Sequence, residues 1–139
     1  MSSDSLLELA TRLARSAGQL AQDMRGDVDL SGETKSSATD VVTAADKAAE
    51  TLIVEGVLEA RPDDSILGEE GGTRTGTSDV RWLVDPIDGT TNYVYGIPAY
   101  AVSVAAEVAG ELAVGVVYDP AHERCYSATA GGGASLDGR

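Results

Sequence analysis

The sequence predicts an α+β fold, two N-terminal helices packed on a mostly antiparallel sheet, and three observations lead there. Apolar residues recur at helical spacing as far as Pro62, the period then shortens to that of strands, and the strand-like runs are joined by short turns. With 139 residues and 42% hydrophobic content, the chain can bury a single core, and residues 1–139 are read as one domain.

The first helix opens at Leu6. Leu6, Leu9, Ala10, Leu13, Ala17, Leu20, Ala21 and Met24 fall on one stripe, Ser5 with Glu8 reads as a capping box, and Gly26 as the stop. Residues 27–38 are polar, with Gly32 and little to bury, which predicts a mobile loop. Helical spacing returns with Ala45, Ala49, Leu52, Ile53 and Val57, behind a second capping pattern of Thr43 and Asp46, and Pro62 closes the segment. Residues 65–67 and 81–84 are short apolar runs either side of a Gly- and Thr-rich loop, 71–78. Residues 99–108 and 112–118 flank Ala109-Gly110-Glu111 and predict a hairpin, and Asp119-Pro120-Ala121-His122 turns into a further strand at 124–128. The glycine-rich residues 131–139 have no capping element and read as a connection, not as a phosphate loop, since no Gly-Lys-Ser/Thr follows.

Ten Lys and Arg against 23 Asp and Glu give a formal charge of −13. Such a charge repels nucleic acid and anionic membranes, so neither is an expected partner. No apolar run approaches the roughly 20 residues that span a bilayer, and the N-terminus has no basic region leading into an apolar core, so a cytoplasmic location is expected. An acidic protein that handles phosphorylated substrates needs something to reverse the local sign, and a bound divalent cation does so. Cys125 is the only cysteine, which excludes an intrachain disulfide and a thiolate metal cage and leaves a small buried hydrophobe. His122, in a turn, reads as a surface residue.

The stretch Trp82-Leu83-Val84-Asp85-Pro86-Ile87-Asp88-Gly89-Thr90-Thr91-Asn92 carries the chemistry. An apolar strand delivers Asp85 at its end, Pro86 forces a turn, and Asp88 follows so that both carboxylates face one point. Carboxylates that close repel unless a cation lies between them, and hard oxygen ligands select Mg²⁺, Mn²⁺ or Ca²⁺. Backbone carbonyls at Pro86 and Ile87 are further oxygen donors. Gly89 lets a ligand approach the backbone, and the N–H groups of Gly89, Thr90 and Thr91 can form an anion-binding concavity beside the metal. The Thr90 hydroxyl is placed to orient a water. Gly68-Glu69-Glu70-Gly71-Gly72 is a second acidic cluster at a strand end. Alone it reads as a solvated loop, but a strand ending at Leu67 beside one ending at Val84 would bring Glu69 to Asp85.

Gly68-Glu69-Glu70 followed by Trp82 through Asn92 resembles the metal-binding signature of the inositol monophosphatases, in the lithium-sensitive, Mg²⁺-dependent phosphatase superfamily. The resemblance extends to Lys35, to the run from Asp40 to Asp46, and to the hairpins through Gly133. It implies that Glu69, Asp85 and the Ile87 carbonyl hold a first Mg²⁺ and that Asp85 and Asp88 hold a second, with Mn²⁺ able to substitute. It further implies that Thr90 and Glu69 orient the attacking water, and that Ile87, Asp88, Gly89 and Thr90 border the substrate phosphate, the Gly89 and Thr90 amides holding it. Lys35, Asp46 and Glu70 fall in the outer shell, with Asp46 acting through water on a third, weaker metal. For Lys35 and Asp46 a solvated lysine and a capping carboxylate are the plainer readings.

The implied reaction is hydrolysis of a small phosphomonoester, inositol monophosphate first and histidinol phosphate or a nucleotide bisphosphate as alternatives. Members of this family continue for about as many residues again, through a second αβ layer with a Trp-Asp-x-Ala motif that supplies another aspartate to the second metal. Trp82 is the only tryptophan here. The match therefore covers the first half of an αβαβα sandwich, with a homodimer expected once the C-terminal half is present. A noncatalytic half that binds metal or another chain is the rival reading.

Overall fold

The computed structural model describes residues 3–25 and 38–139. Helices α1 (Ser3–Arg25) and α2 (Ala38–Ala60) are followed by strands β1 (Ser65–Gly68) and β2 (Val80–Asp88), a short helix α3 (Thr90–Tyr95), and strands β3 (Ala101–Val108), β4 (Glu111–Asp119), β5 (Arg124–Thr129) and β6 (Gly133–Leu136). The six strands form one sheet in sequence order; β1 lies parallel to β2 and every other pair is antiparallel. Two helices on a mostly antiparallel sheet is the predicted class.

The α1 stripe buries Leu6, Leu9, Ala10, Leu13, Ala14 and Ala17 against the sheet, where alternate residues Trp82, Val84, Val102, Val104, Val116 and Tyr118 point inward. Both helices begin earlier than the capping patterns suggest. Ser5 and Thr43 stand inside α1 and α2, so neither is an N-cap, and Asp46 is not a capping carboxylate. Residues 131–139 are more than a connection: β6 pairs with β5, and the Asp137 N–H donates to the Cys125 carbonyl at 2.8 Å while Asp137 Oδ1 accepts the Cys125 N–H at 2.9 Å. Cys125 is buried and His122 exposed, its Nδ1 2.7 Å from Asp119. The loop expected at 27–38 lies outside the described residues except for Ala38, which begins α2. Among the described residues no helix is long and apolar enough to cross a membrane.

A second, smaller cluster sits at one end of the sheet. Ala21, Ala45, Ile87, Tyr93 and Tyr100 pack together with Met24, Val42 and Ala121, fastening the end of β2 and α3 to both long helices.

Asp64, 1% exposed, ties the segment after α2 to β2. It accepts hydrogen bonds from Trp82 Nε1 at 2.8 Å, Ser78 Oγ at 2.7 Å and the Arg61 guanidinium. Burial alone would raise its carboxyl, but the bonds from Arg61, Trp82 and Ser78 and the Arg61 charge hold it below the ordinary carboxylate range. Asp64→Ala strands three donors in a dry site and is expected to cost about 3 kcal/mol, read from the urea midpoint at constant m-value. A loss within 0.5 kcal/mol would show that these donors find other partners.

Candidate metal and phosphate site

The parallel pairing of β1 with β2 sets Gly68 opposite Val84, so the chain leaves β1 at Glu69 beside Asp85. That is the convergence the two strand ends predict. Asp85 itself does not end its strand. β2 continues to Asp88, and the forced turn expected at Pro86 is a bulge: Asp85 pairs with Ser103 and Asp88 with Ala101, so that Pro86 and Ile87 stand against Val102 alone. Pro86 has no N–H for the ladder, which explains why the irregularity falls there. The bulge also fixes the chemistry. In a regular strand residues 85 and 88 would face opposite sides; the extra residue returns Asp88 to the side of Asp85, since Ser103 and Ala101 share a face. Ile87, 3% exposed, anchors the bulge in the smaller core cluster.

Gly89 follows in the left-handed region, φ 88° and ψ 43°, and a Cβ there would stand 2.9 Å from the Ala99 carbonyl oxygen. It opens α3, which the sequence reading missed. The Tyr93 N–H closes the first turn on the Gly89 carbonyl at 3.0 Å, leaving the preceding N–H groups without intrahelical acceptors. The helix is held from behind. The Tyr93 hydroxyl donates to the Ala21 carbonyl at 2.8 Å, its ring meets Tyr100 edge-on at 5.2 Å, and Asn92 Nδ2 donates to the Ala99 carbonyl at 2.8 Å. Thr90 is exposed on the free side.

From the opposite wall α2 contributes Asp46, half-buried, and one turn later Glu50, 3% exposed. Glu50 accepts the Glu70 N–H at 3.0 and 3.1 Å and the Gly72 N–H at 2.8 Å, so it holds the turn that carries Glu69 and Glu70. Glu50 escaped the sequence reading, although one acid among Ala45, Ala49, Ile53 and Val57 on a buried face was a readable signal.

Electrostatics mark the centre. Burial, then the charge of Glu69 and a hydrogen bond to it, then Asp88 and Asp46, push the Asp85 carboxyl up to about 7. Burial, then Glu70, Glu69 and Glu50, push Asp46 up to about 6. Asp85 Oδ1 is buried and has no hydrogen-bond partner among the described residues. Glu69 and Asp85 can hydrogen-bond only if one of them carries a proton. Among the described residues no three His, Cys, Asp or Glu side chains close to metal-ligand spacing. The donor set nevertheless fits a hard divalent cation: oxygen ligands only, excess negative charge, and one buried acceptor without a donor.

The structure thus gathers Glu69, Glu70, Asp46, Asp85 and Asp88 at one end of the sheet, with Ile87 beneath and Gly89 and Thr90 alongside. Lys35 lies outside the described residues.

A family model described as the inositol monophosphatase family matches residues 2–139. The Nus factor SuhB of Pseudomonas aeruginosa is 42% identical over 137 residues, covering 96% of this chain and 51% of that protein. An inositol-1-monophosphatase of Mycobacterium bovis is 50% identical over 116 residues, 80% of this chain and 40% of that protein. The inositol monophosphatase structure from Anabaena superposes with a TM-score of 0.82 at 36% identity, over 98% of this chain and 48% of that one. The chain spans about half the length of the curated relatives it matches.

Proposed function

Because the chain belongs to the inositol monophosphatase family, a family generally dependent on metal, we propose that it carries the metal and phosphate half of a Mg²⁺-dependent phosphomonoesterase acting on a small phosphate ester, inositol monophosphate first. The observation that carries this reading is the buried, donorless Oδ1 of Asp85 amid four other acids. Glu69, Asp85 and the Ile87 carbonyl would hold one Mg²⁺ and Asp85 with Asp88 a second; Asp46 would reach a third through water. Bound there, the cations would neutralise the phosphate and acidify a water. The remaining work falls to the chain. Glu69 and the Thr90 hydroxyl would orient that water, the hydroxyl accepting from it and donating to the carboxylate. The amides of Gly89 and Thr90 would hold phosphate oxygens at the first turn of α3. Histidinol phosphate and nucleotide bisphosphates would meet the same residues, so this half does not choose among them.

Thr90→Ala tests the assignment, placed in the chain joined to the rest of the family domain. Phosphate release from inositol monophosphate is expected to fall roughly 100-fold in kcat with Mg²⁺ affinity nearly unchanged. An unaltered kcat would remove Thr90 from the reaction. A second reading has support in the relatives named Nus factor SuhB: a module that binds metal or another chain without turnover. Mg²⁺ binding by the joined protein with no phosphate release from any of the three substrate classes would favour it.

A further inference from the structure

We propose that Glu50 is a positioning residue of this site: its buried carboxylate clamps the turn from Gly68 to Gly72 and thereby sets where Glu69 stands against Asp85. The inference rests on the metal reading above and deepens it. Three N–H···O contacts from Glu70 and Gly72, at 2.8 to 3.1 Å, end on the two oxygens of this one side chain. Those contacts join residues that lie 20 and 22 positions apart in sequence, so they tie α2 directly to the turn. Within the turn the other connections are slight. The Thr73 hydroxyl donates to the Gly68 carbonyl at 3.4 Å, and the chain next meets the sheet at a single bridge between Arg74 and Ile66.

The glycines that flank the two acids record the same contact. A Cβ at Gly68 would stand 2.6 Å from Glu50 Oε1, and one at Gly72 2.8 Å from Oε2. The carboxylate occupies the space that side chains would fill. Asp46 and Glu50 lie four residues apart and therefore share a face of α2, so one helical turn offers Asp46 to the acidic centre and Glu50 to the turn beside it. Burying a carboxylate is unfavourable unless its oxygens are satisfied, and here backbone N–H groups satisfy them. Glutamine would keep the shape but turn one of the two acceptors into a donor facing N–H groups. The outer partners of metal ligands act in this way, holding the ligand rather than touching the ion.

The experiment compares wild type, Glu50→Gln and Asp64→Asn, the last a buried carboxylate of the same fold remote from the acidic cluster. Two quantities are read: Mg²⁺ affinity by titration calorimetry, and hydrogen exchange at the Glu70 and Gly72 amides by NMR without metal. Glu50→Gln is expected to weaken Mg²⁺ binding by about 10- to 100-fold and to speed exchange at both amides. Asp64→Asn is expected to lower the melting temperature while leaving both readings as in wild type. Gly72→Ala, which displaces the carboxylate from the other side, should act like Glu50→Gln and replaces it if that variant does not fold. Mg²⁺ affinity equal in wild type and Glu50→Gln overturns the positioning role, as does an equal loss in Asp64→Asn, which would make affinity a mere reflection of stability. Wild-type protein with protected amides and no Mg²⁺ binding overturns the metal reading instead.

Discussion

Replacing Asp85 with asparagine is expected to make the metal-free protein more stable at pH 8 and to remove most of the stabilisation that Mg²⁺ gives. The two effects have one cause. Folding raises the Asp85 carboxyl from its ordinary 3.8 to about 7, so between those values the folded state holds more protons than the unfolded one. Stability then falls as pH rises, being fully present below about pH 4 and lost through pH 7. Asp46, raised to about 6, adds a decline of the same sign over the lower part of that window. Asparagine cannot ionise, so the variant should keep only the shallower slope due to Asp46 and cross above wild type as pH climbs. Mg²⁺ bound at the proposed site would act in the opposite direction on wild type. A ligand at a hundredfold excess over its Kd stabilises the folded state by about 2.7 kcal/mol, which for a domain of this size raises Tm by about 10 °C. Without the carboxylate shared by both proposed metals, that rise should nearly vanish. Thermal melts at pH 5 and 8, with and without Mg²⁺, decide it. An equal Mg²⁺-dependent rise in wild type and Asp85→Asn would place the cation elsewhere.

The residues that converge were legible because their reasons are local. Leu67 and Val84 end apolar runs, Pro86 fixes the backbone after Asp85, and Gly89 lets a ligand approach the main chain. What escaped depended on partners distant in sequence. Thr43 and Asp46 satisfy a capping pattern, yet α2 starts at Ala38, and Val42 packs into the cluster of Ile87 and Tyr93. Packing outweighed the local signal. The six residues of α3 include threonines, a valine and two tyrosines, a composition that favours strand. Burial of Tyr93 and its bond to Ala21 hold them helical. Glu50 went unread, because the N–H groups that satisfy it come from the turn that follows β1, 20 and 22 positions away. The bulge at Pro86 was read as a turn. Either geometry lets two aspartates meet, and only the pairing of Asp85 with Ser103 and Asp88 with Ala101 tells them apart.

The 139-residue chain by itself is expected to release phosphate from inositol monophosphate slowly and to self-associate, and both traits should disappear together when the rest of the family domain is joined to it. The link is the sheet face turned away from α1 and α2. One row of paired residues on that face runs from Asp85 through Ser103, Val117 and Tyr126 to Leu136, and the next holds Leu67, Leu83, Ala105, Gly115, Ala128 and Ala134. Leu67, Val117, Tyr126 and Leu136 are exposed, and contiguous apolar surface of this kind drives association in water. Because the first row begins at Asp85, a layer laid on this face would also wall the acidic centre. It would exclude water there and, by resemblance to the family, bring the further aspartate of the Trp-Asp-x-Ala motif. In the 139 residues assayed alone, the proposed second Mg²⁺ would be held by fewer charges and keep more of its water, so its occupancy should drop. Val117→Glu separates the two traits, since a charge in the middle of the apolar row should disperse the oligomers without restoring turnover. The measurements are phosphate release at saturating Mg²⁺ and molar mass by light scattering, for the chain alone, for Val117→Glu and for the joined protein. A monomeric 139-residue chain as active as the joined protein would mean that Glu69, Asp85, Asp88 and Asp46 complete the metal site unaided.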